Sequence, residues 1–499
     1  MRAARVRRSS LAWLISLVLL VWVLPAGAVE TEPAVAREDE SGEPTTESHE
    51  EGAHDEASGG HGGHSSRLTD EHIPLQTEIM PERPGLLIEW GNPYLGTGRI
   101  SPGKELPSGT VWQPTLIFFG TLRSAVQTFD NGSERVTEWA NRLDLFGNLQ
   151  LTGTERLVIG FRNLDRDGQF TSYVFEPDLD DPWVEEVNSD IQAFYFEGDF
   201  GEIFPGLDRE DFGRKDIGFS IGRQPLLFQE GMLLNDSIDG IGLTRNTLLP
   251  TNTSNFRLTF FAGLDNVNRV SFEDESGKLY GLFTSTDKRR STIDADLVYV
   301  TGDELLTGDL VAAGLSFAQR IGRFSTSFRF LGSTALDQET PFAADGGLVF
   351  SEISWTPHYT HDHVYLTTFA AFDEFTAAAS GPGAGGPLGR AGINFAAVGL
   401  GSFGAPLSSR ARDVAGGAFG YQKFIGVLRR RQLLVEAGVR VGTADEVADG
   451  VALTVRYQMA VGRRVVLVFD GFGASVDSVA PGVEDRTSAG GRFEFRLKF

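Results

Sequence analysis

Eight histidines are the residues of this chain best suited to hold a metal, and they fall in two groups. His49, His54, His61, His64 and His72 lie near Glu47, Glu50, Glu51 and Asp55. Imidazole and carboxylate together suit Zn²⁺ or Cu²⁺. The spacing is irregular and Gly59–Gly63 interrupts it, so two readings stay open. One is a loose, weakly zinc-collecting tail built on His49, His54, His61 and His64; the other is a solvated linker. His358, His361 and His363 form the run His-Tyr-Thr-His-Asp-His. Extended backbone would point His361 and His363 the same way, but no third fixed ligand is assignable and a plain turn is the simpler account. Asn163-Leu164-Asp165-Arg166-Asp167-Gly168 starts like a calcium loop. The twelfth position, where a bidentate carboxylate belongs, is Val174, so an Asp-Gly turn is expected instead. Nucleophilic catalysis needs a base beside its nucleophile. Only His363 falls on a predicted strand, so no enzyme is expected and no cofactor beyond the weak zinc reading.

A larger set of charges recurs with period two. Arg142, Arg156, Arg162, Arg257, Arg329, Arg440, Arg456, Arg492 and Arg496 would share one face with Asp144, Glu197, Asp199, Asp294, Asp296, Glu352, Glu436 and Glu494. Opposed charges of this kind line water-filled channels and tune their selectivity. The elements that carry them are strands. In Gly491–Phe499, Phe493, Phe495, Leu497 and Phe499 alternate with Arg492, Glu494, Arg496 and Lys498, giving one apolar and one charged side. Val451–Val461, Leu433–Val441 and Leu143–Leu151 repeat the pattern.

Many such segments of about ten residues, separated by turns, are what a transmembrane barrel requires. Lipid demands that every backbone group be paired, and only closure removes the sheet edges. Eighteen strands can be placed, from 113–127 and 139–151 at one end to 465–474 and 488–499 at the other. An even count suits a single-chain bacterial barrel. Alternate connections are short and often basic, such as Arg320–Arg323, Ile425–Arg431 and Gly462–Arg464; the opposite set is longer and often acidic. Counting Ala391–Phe403 as a strand breaks this parity. Residues 374–413 are therefore expected to form one long outer excursion, folded into the lumen. Pro225–Ile238 joins two predicted strands, yet Leu226, Leu227, Phe228, Met232, Leu233 and Leu234 would each lose about 1.5–3 kcal/mol if left in water. Folding this loop inward removes that cost. It would set Glu230, Asn235 and Asp236 beside the lumen arginines, with Arg223 at the loop's base and Asp239 at the start of the next strand.

The N-terminus sets the compartment. Arg2, Arg5, Arg7 and Arg8 precede an apolar run from Leu11 to Leu24, and Ala26-Gly27-Ala28 follows. This is the layout of a secretory signal peptide over residues 1–28, cleaved after Ala28. Residues 30–83 carry 15 acidic against 3 basic side chains. Segment 29–83 is expected to be a disordered acidic His-rich leader, 84–112 a connecting segment and 113–499 the barrel. The absence of cysteine excludes a lipoprotein and a disulfide-stapled fold. A net charge of −24 excludes nucleic acid as a partner.

Ending on Phe499, with apolar residues at alternate positions before it, resembles the recognition signal of bacterial outer-membrane barrels. That implies insertion by the barrel-assembly machinery. A narrower resemblance covers about 25 residues. Gly222-Arg223-Gln224-Pro225, Gly231, Asn235-Asp236 and Ile238-Asp239-Gly240-Ile241 look like the strand end, loop and strand start of the alginate export family. Phe228-Gln229-Glu230 stands where that family's pattern has a Tyr-Gly-Asp-like turn. The resemblance implies 18 strands. The expectation is a transmembrane antiparallel up-and-down β-barrel in the outer membrane, in contact with lipid and lipopolysaccharide. It would pass a small hydrophilic solute or polysaccharide, an anionic carbohydrate among the candidates, by diffusion or export; the alternative is a non-transporting adhesin or receptor. Pore-lining positions are Arg142, Arg162, Arg223, Arg257, Arg329, Arg440, Arg456, Glu230, Asp236 and Asp239.

Overall fold

The computed structural model describes residues 85–93, 101–207, 217–269, 272–274, 277–303, 306–478 and 485–499. The expected signal peptide and the whole expected leader over 29–83, with His49, His54, His61, His64 and His72, lie outside the described residues. Eighteen strands form one closed antiparallel barrel. They are β1 (Thr115–Asp130), β2 (Arg135–Gln150), β3 (Arg156–Arg162), β4 (Ile191–Asp199), β5 (Ile217–Phe228) and β6 (Leu234–Leu248). Next come β7 (Asn255–Asp265), β8 (Lys278–Lys288), β9 (Ser291–Thr301), β10 (Leu310–Ile321), β11 (Phe324–Ala335) and β12 (Gly346–Trp355). The last six are β13 (His363–Glu374), β14 (Arg412–Ile425), β15 (Arg431–Gly442), β16 (Gly450–Val461), β17 (Val465–Val476) and β18 (Arg486–Lys498). Each pairs with its neighbour, and β18 closes on β1 in a register running from Ala489↔Asp130 to Lys498↔Thr121. Gly120 and Phe499 exchange backbone hydrogen bonds of 2.8 and 3.1 Å just past that register. Every strand placed from the sequence is present, with ends shifted by a few residues.

Period two is obeyed in space. Phe493 and Phe495 are on the outside, 42% and 36% exposed, whereas the side chains of Arg492 and Glu494 are fully buried within. Ile221, Ile241, Phe260, Leu282, Leu297, Phe330, Val349, Phe419, Leu453 and Phe469 continue the outward apolar surface. The two ends differ. At the end that holds both described termini several turns are short, Arg289-Arg290, Gly322-Arg323 and Gly462-Arg463-Arg464, whereas residues 200–216 join β4 to β5. Gly322 and Gly462 have φ of 59° and 64°, which glycine adopts without the cost other residues pay. At the opposite, loop end most connections are longer, the longest being residues 375–411 between β13 and β14.

Three features go beyond the expected layout. The connecting segment docks Ile88–Trp90 on β1 at Leu116–Phe118, the edge that β18 leaves free. Between β3 and β4, Gln169–Glu176 adds to the upper part of β2. Its turn is a tight hairpin in which Asp167 and Gly168 both have positive φ, the primed geometry that hairpins favour. Asp165, at the base of this hairpin, is buried, and burial pushes its carboxyl up despite Arg162 beside it. The third is Pro225–Ile238. It is no irregular loop: β5 and β6 keep their pairing out to Phe228↔Leu234, so an extended hairpin replaces it, with a 3₁₀ tip at Gln229–Gly231.

Candidate functional site

The lumen is filled unequally. Residues 375–411 leave the wall at β13 and return at β14 without forming a barrel strand, crossing the lumen as a packed excursion. Thr367 of β13 donates to the Ala391 carbonyl. On β15 the buried Glu436 accepts from the backbone N–H of Ile393 (3.0 Å) and Asn394 (2.7 Å), and from Asn394 Nδ2 (2.9 Å). Across the barrel, Arg123 and Arg142 donate to the Gly399 carbonyl at 3.2 and 3.1 Å, and Gln127 to that of Leu400 at 2.9 Å. Phe403 packs against Phe129 and Phe472 and lies beneath the Arg492 guanidinium.

The extended hairpin meets this excursion. Leu234-Asn235 pairs in parallel with Ala379-Ser380. Met232, Leu233, Leu234 and Ile238 join Leu388, Ala391, Phe395 and Leu407 in one apolar core, each at most 1% exposed. The hairpin tip reaches the far wall. Gln229 donates to Asp296 of β9 at 2.7 Å, and Glu230 lies 3.6 Å from Arg329 of β11 and 3.1 Å from Arg390 of the excursion. Gln229, Glu230 and Gly231 all have positive φ, so the tip is backbone-strained where it touches these groups. Burial of apolar side chains in an otherwise watery lumen is the physical reason both segments turn inward.

What stays open is a cavity of about 960 Å³ against the β4–β11 half of the wall. It runs from Thr154, Asp199 and Glu202 at the terminus end to Gln224–Glu230 of the hairpin. Arg257 and Arg329 line it, as do Asp294 and Asp296. Gly218-Phe219-Ser220-Ile221-Gly222, which borders it, has Gly-x-Ser-x-Gly spacing. It lies within β5 rather than on a strand-to-helix turn, and none of the cavity residues is a histidine.

The predicted site residues therefore separate. Arg257, Arg329 and Glu230 reach the cavity. Arg142 and Arg162 face inward but are engaged, both with Asp144 (3.0 and 3.2 Å) and Arg142 also with the excursion. Arg456 is paired with Asp470 at 2.6 Å. Arg440 donates to the carbonyls of Ala448 and Arg410. Asp236 is buried between strands, accepting from Asn268 N and Nδ2 at 2.8 Å. Arg223 and Asp239 are a correction. They pair with each other at 2.8 Å on the face of β5 and β6 that carries Ile221 and Ile241, because each stands two positions from one of those outward side chains and so shares its face. Sequence reading missed Arg123, Asp470 and Glu138. Arg123 and Glu494 form an ion pair of 2.6 Å; Glu138 holds Gln127 at 2.8 Å and the Ser402 N–H. Strict alternation within β1, β2 and β17 was the available signal.

Among the described residues no group of three metal-ligating side chains converges. In the His358–His363 segment the Asp362 carboxylate accepts instead from the Tyr421 hydroxyl and, at 3.0 Å, from the Phe424 N–H. Those bonds hold it below the usual carboxylate range.

No protein-family model and no curated protein sequence matches this chain. Solved structures do. OccAB3 of Acinetobacter baumannii is 12% identical, matching 77% of this chain and 99% of its own, with a TM-score of 0.51. OccK2 (OpdF) of Pseudomonas aeruginosa, solved with glucuronate, is 11% identical over 77% of this chain and 96% of its own, at 0.51. OpdK of Pseudomonas aeruginosa, solved with vanillate, is 14% identical over 77% and 98%, at 0.50. At such identities the likeness is one of fold, a porin-type barrel of 18 strands. It does not single out the alginate export family.

Proposed function

We propose that this chain is an outer-membrane channel in which a small hydrophilic solute diffuses passively through the cavity beside β4–β11. One observation carries the reading: a barrel with an apolar exterior encloses a charged cavity of about 960 Å³. Such an exterior suits lipid and such an interior suits water. In this reading the long loops face outward, lipopolysaccharide surrounds them, and the Phe499 strand end is the signal for the assembly machinery. The solute class is open to a finer reading. A carbohydrate acid is supported by the Gly222-Arg223-Gln224 resemblance and by a fold neighbour solved with glucuronate. Against it, Arg123, Arg142 and Arg492 are taken up by carbonyls and carboxylates of the protein itself, leaving them no free capacity for an anion.

A specific observation favours a second reading, a non-transporting surface barrel. The hairpin and the 375–411 excursion share a dry apolar core inside the lumen. Planar-bilayer recording of the refolded protein separates the two. Stepwise conductance is expected for a channel; a correctly folded barrel that never conducts would establish the receptor or adhesin class instead.

A further inference from the structure

The cavity differs in charge from the rest of the lumen. Six carboxylates line it, Glu197, Asp199, Glu202, Glu230, Asp294 and Asp296, against two guanidiniums, Arg257 and Arg329. Glu197 is paired with Arg156, and Glu230 is shared by Arg329 and Arg390. Asp294 and Asp296 have no such relief. Their donors are neutral, Ser316 Oγ at 3.0 Å and Gln229 Nε2 at 2.7 Å. No cation of the described residues lies within the 4.0 Å of an ion pair.

The ladder explains why. Arg257, Ser285, Asp294, Ser316 and Arg329 are successive register partners from β7 to β11, so they form one row across the wall. Adjacent strands are about 4.8 Å apart, which sets the Cα of Asp294 roughly 10 Å from that of each arginine, two strands away on either side. The next row toward the hairpin is Thr259, Phe283 and Asp296. Phe283 is stacked on Phe228 of the hairpin with ring planes 9° apart. Two carboxylates without an ion-pair partner thus stand among hydroxyls and beside an aromatic pair.

We infer that the cavity selects solutes that carry an ammonium group on a hydroxyl-rich body, amino sugars being the class that fits. The ammonium neutralises Asp294 and Asp296; Ser285, Ser316 and Thr259 exchange hydrogen bonds with hydroxyls; an apolar sugar face lies against the part of Phe228 left open to the cavity. Acidic sugars are repelled by the same carboxylates. The inference rests on the channel reading above, and the test keeps the two apart.

Full-length protein in a planar bilayer is first required to conduct, and absence of conductance defeats the channel reading and this inference with it. In a conducting channel under a KCl gradient, the reversal potential should give a K⁺ over Cl⁻ permeability ratio of about 3 or more. Asp294→Asn with Asp296→Asn should bring the ratio toward unity, and Arg257→Gln should raise it. In liposome swelling at neutral pH, glucosamine should permeate faster than glucuronate. An anion-selective wild-type channel, or faster glucuronate entry, overturns the inference and leaves the channel standing. The wild-type measurements decide the matter even if a variant fails to fold.

Discussion

Leu233 is where the hold of the inward hairpin can be measured. It is fully buried in the apolar core shared with the 375–411 excursion, as are Met232, Leu234 and Ile238 within 1%. At about 1.5–3 kcal/mol for each buried side chain, the four contribute roughly 6–12 kcal/mol. The polar tip contributes less. The Gln229–Asp296 bond, made to a charged group, adds about 1.5–3 kcal/mol. Glu230 is 44% exposed at its side chain, so its pairs with Arg329 and Arg390 add about 0–1 kcal/mol. Apolar burial, not the charged tip, therefore keeps the hairpin inside. Leu233→Asp forfeits its share of that burial and adds an unpaired carboxylate in a dry site, several kcal/mol more. Together these approach the whole hold, and the hairpin should leave the core. The barrel should persist, because its wall ladder at Arg223↔Asp239 and below is untouched. Heat-modifiable migration on a gel should stay normal, and single-channel conductance should rise by about twofold or more as the passage widens. Leu233→Ala, which costs about 2–5 kcal/mol, should fall between. Glu230→Gln should hardly change the conductance. A folded Leu233→Asp barrel with wild-type conductance would refute the argument, showing that the hairpin does not obstruct the passage.

Other expectations follow from the same geometry. Deleting Phe499, or changing it to Ser, removes the strand end that meets Gly120; fractionation should find less protein in the outer membrane and more in the periplasm. Glu436→Ala strands the N–H groups of Ile393 and Asn394 that it now accepts, at about 1–3 kcal/mol each. Limited proteolysis should then cut within 375–411 much faster than in the wild type, and equal rates would dismiss the anchor. Removing residues 29–83 should leave the heat resistance of the barrel unchanged, since all eighteen strands lie beyond them. If the histidines collect metal, calorimetry should show Zn²⁺ binding lost with that deletion. The bonded Asp362 has a carboxyl lowered by Tyr421 and Phe424. Its contribution to the 356–362 turn should be complete at neutral pH and lost only as pH falls through that lowered value, which the pH dependence of protease cutting at the turn would report.

The barrel was legible in the amino-acid sequence because its rule is local. A strand facing lipid on one side and water on the other must alternate, and Phe493/Arg492 or Leu453/Arg456 show it without any knowledge of neighbours. Turn chemistry and parity then gave the strand number and excluded Ala391–Phe403 from the wall. The apolar Leu226–Leu234 run likewise pointed inward, since no watery loop keeps such residues exposed. Which charges are free was not legible. Alternation assigns Arg142, Arg257 and Arg492 to the same inner face, yet the 375–411 excursion lies against Arg142 and Arg492 and leaves Arg257 open to the cavity. That outcome depends on contacts between residues more than 250 positions apart, such as Arg142 with Gly399, and on how two inward segments share one apolar core. Period and composition fix the face of a residue; only the packed lumen decides whether that face meets protein or water.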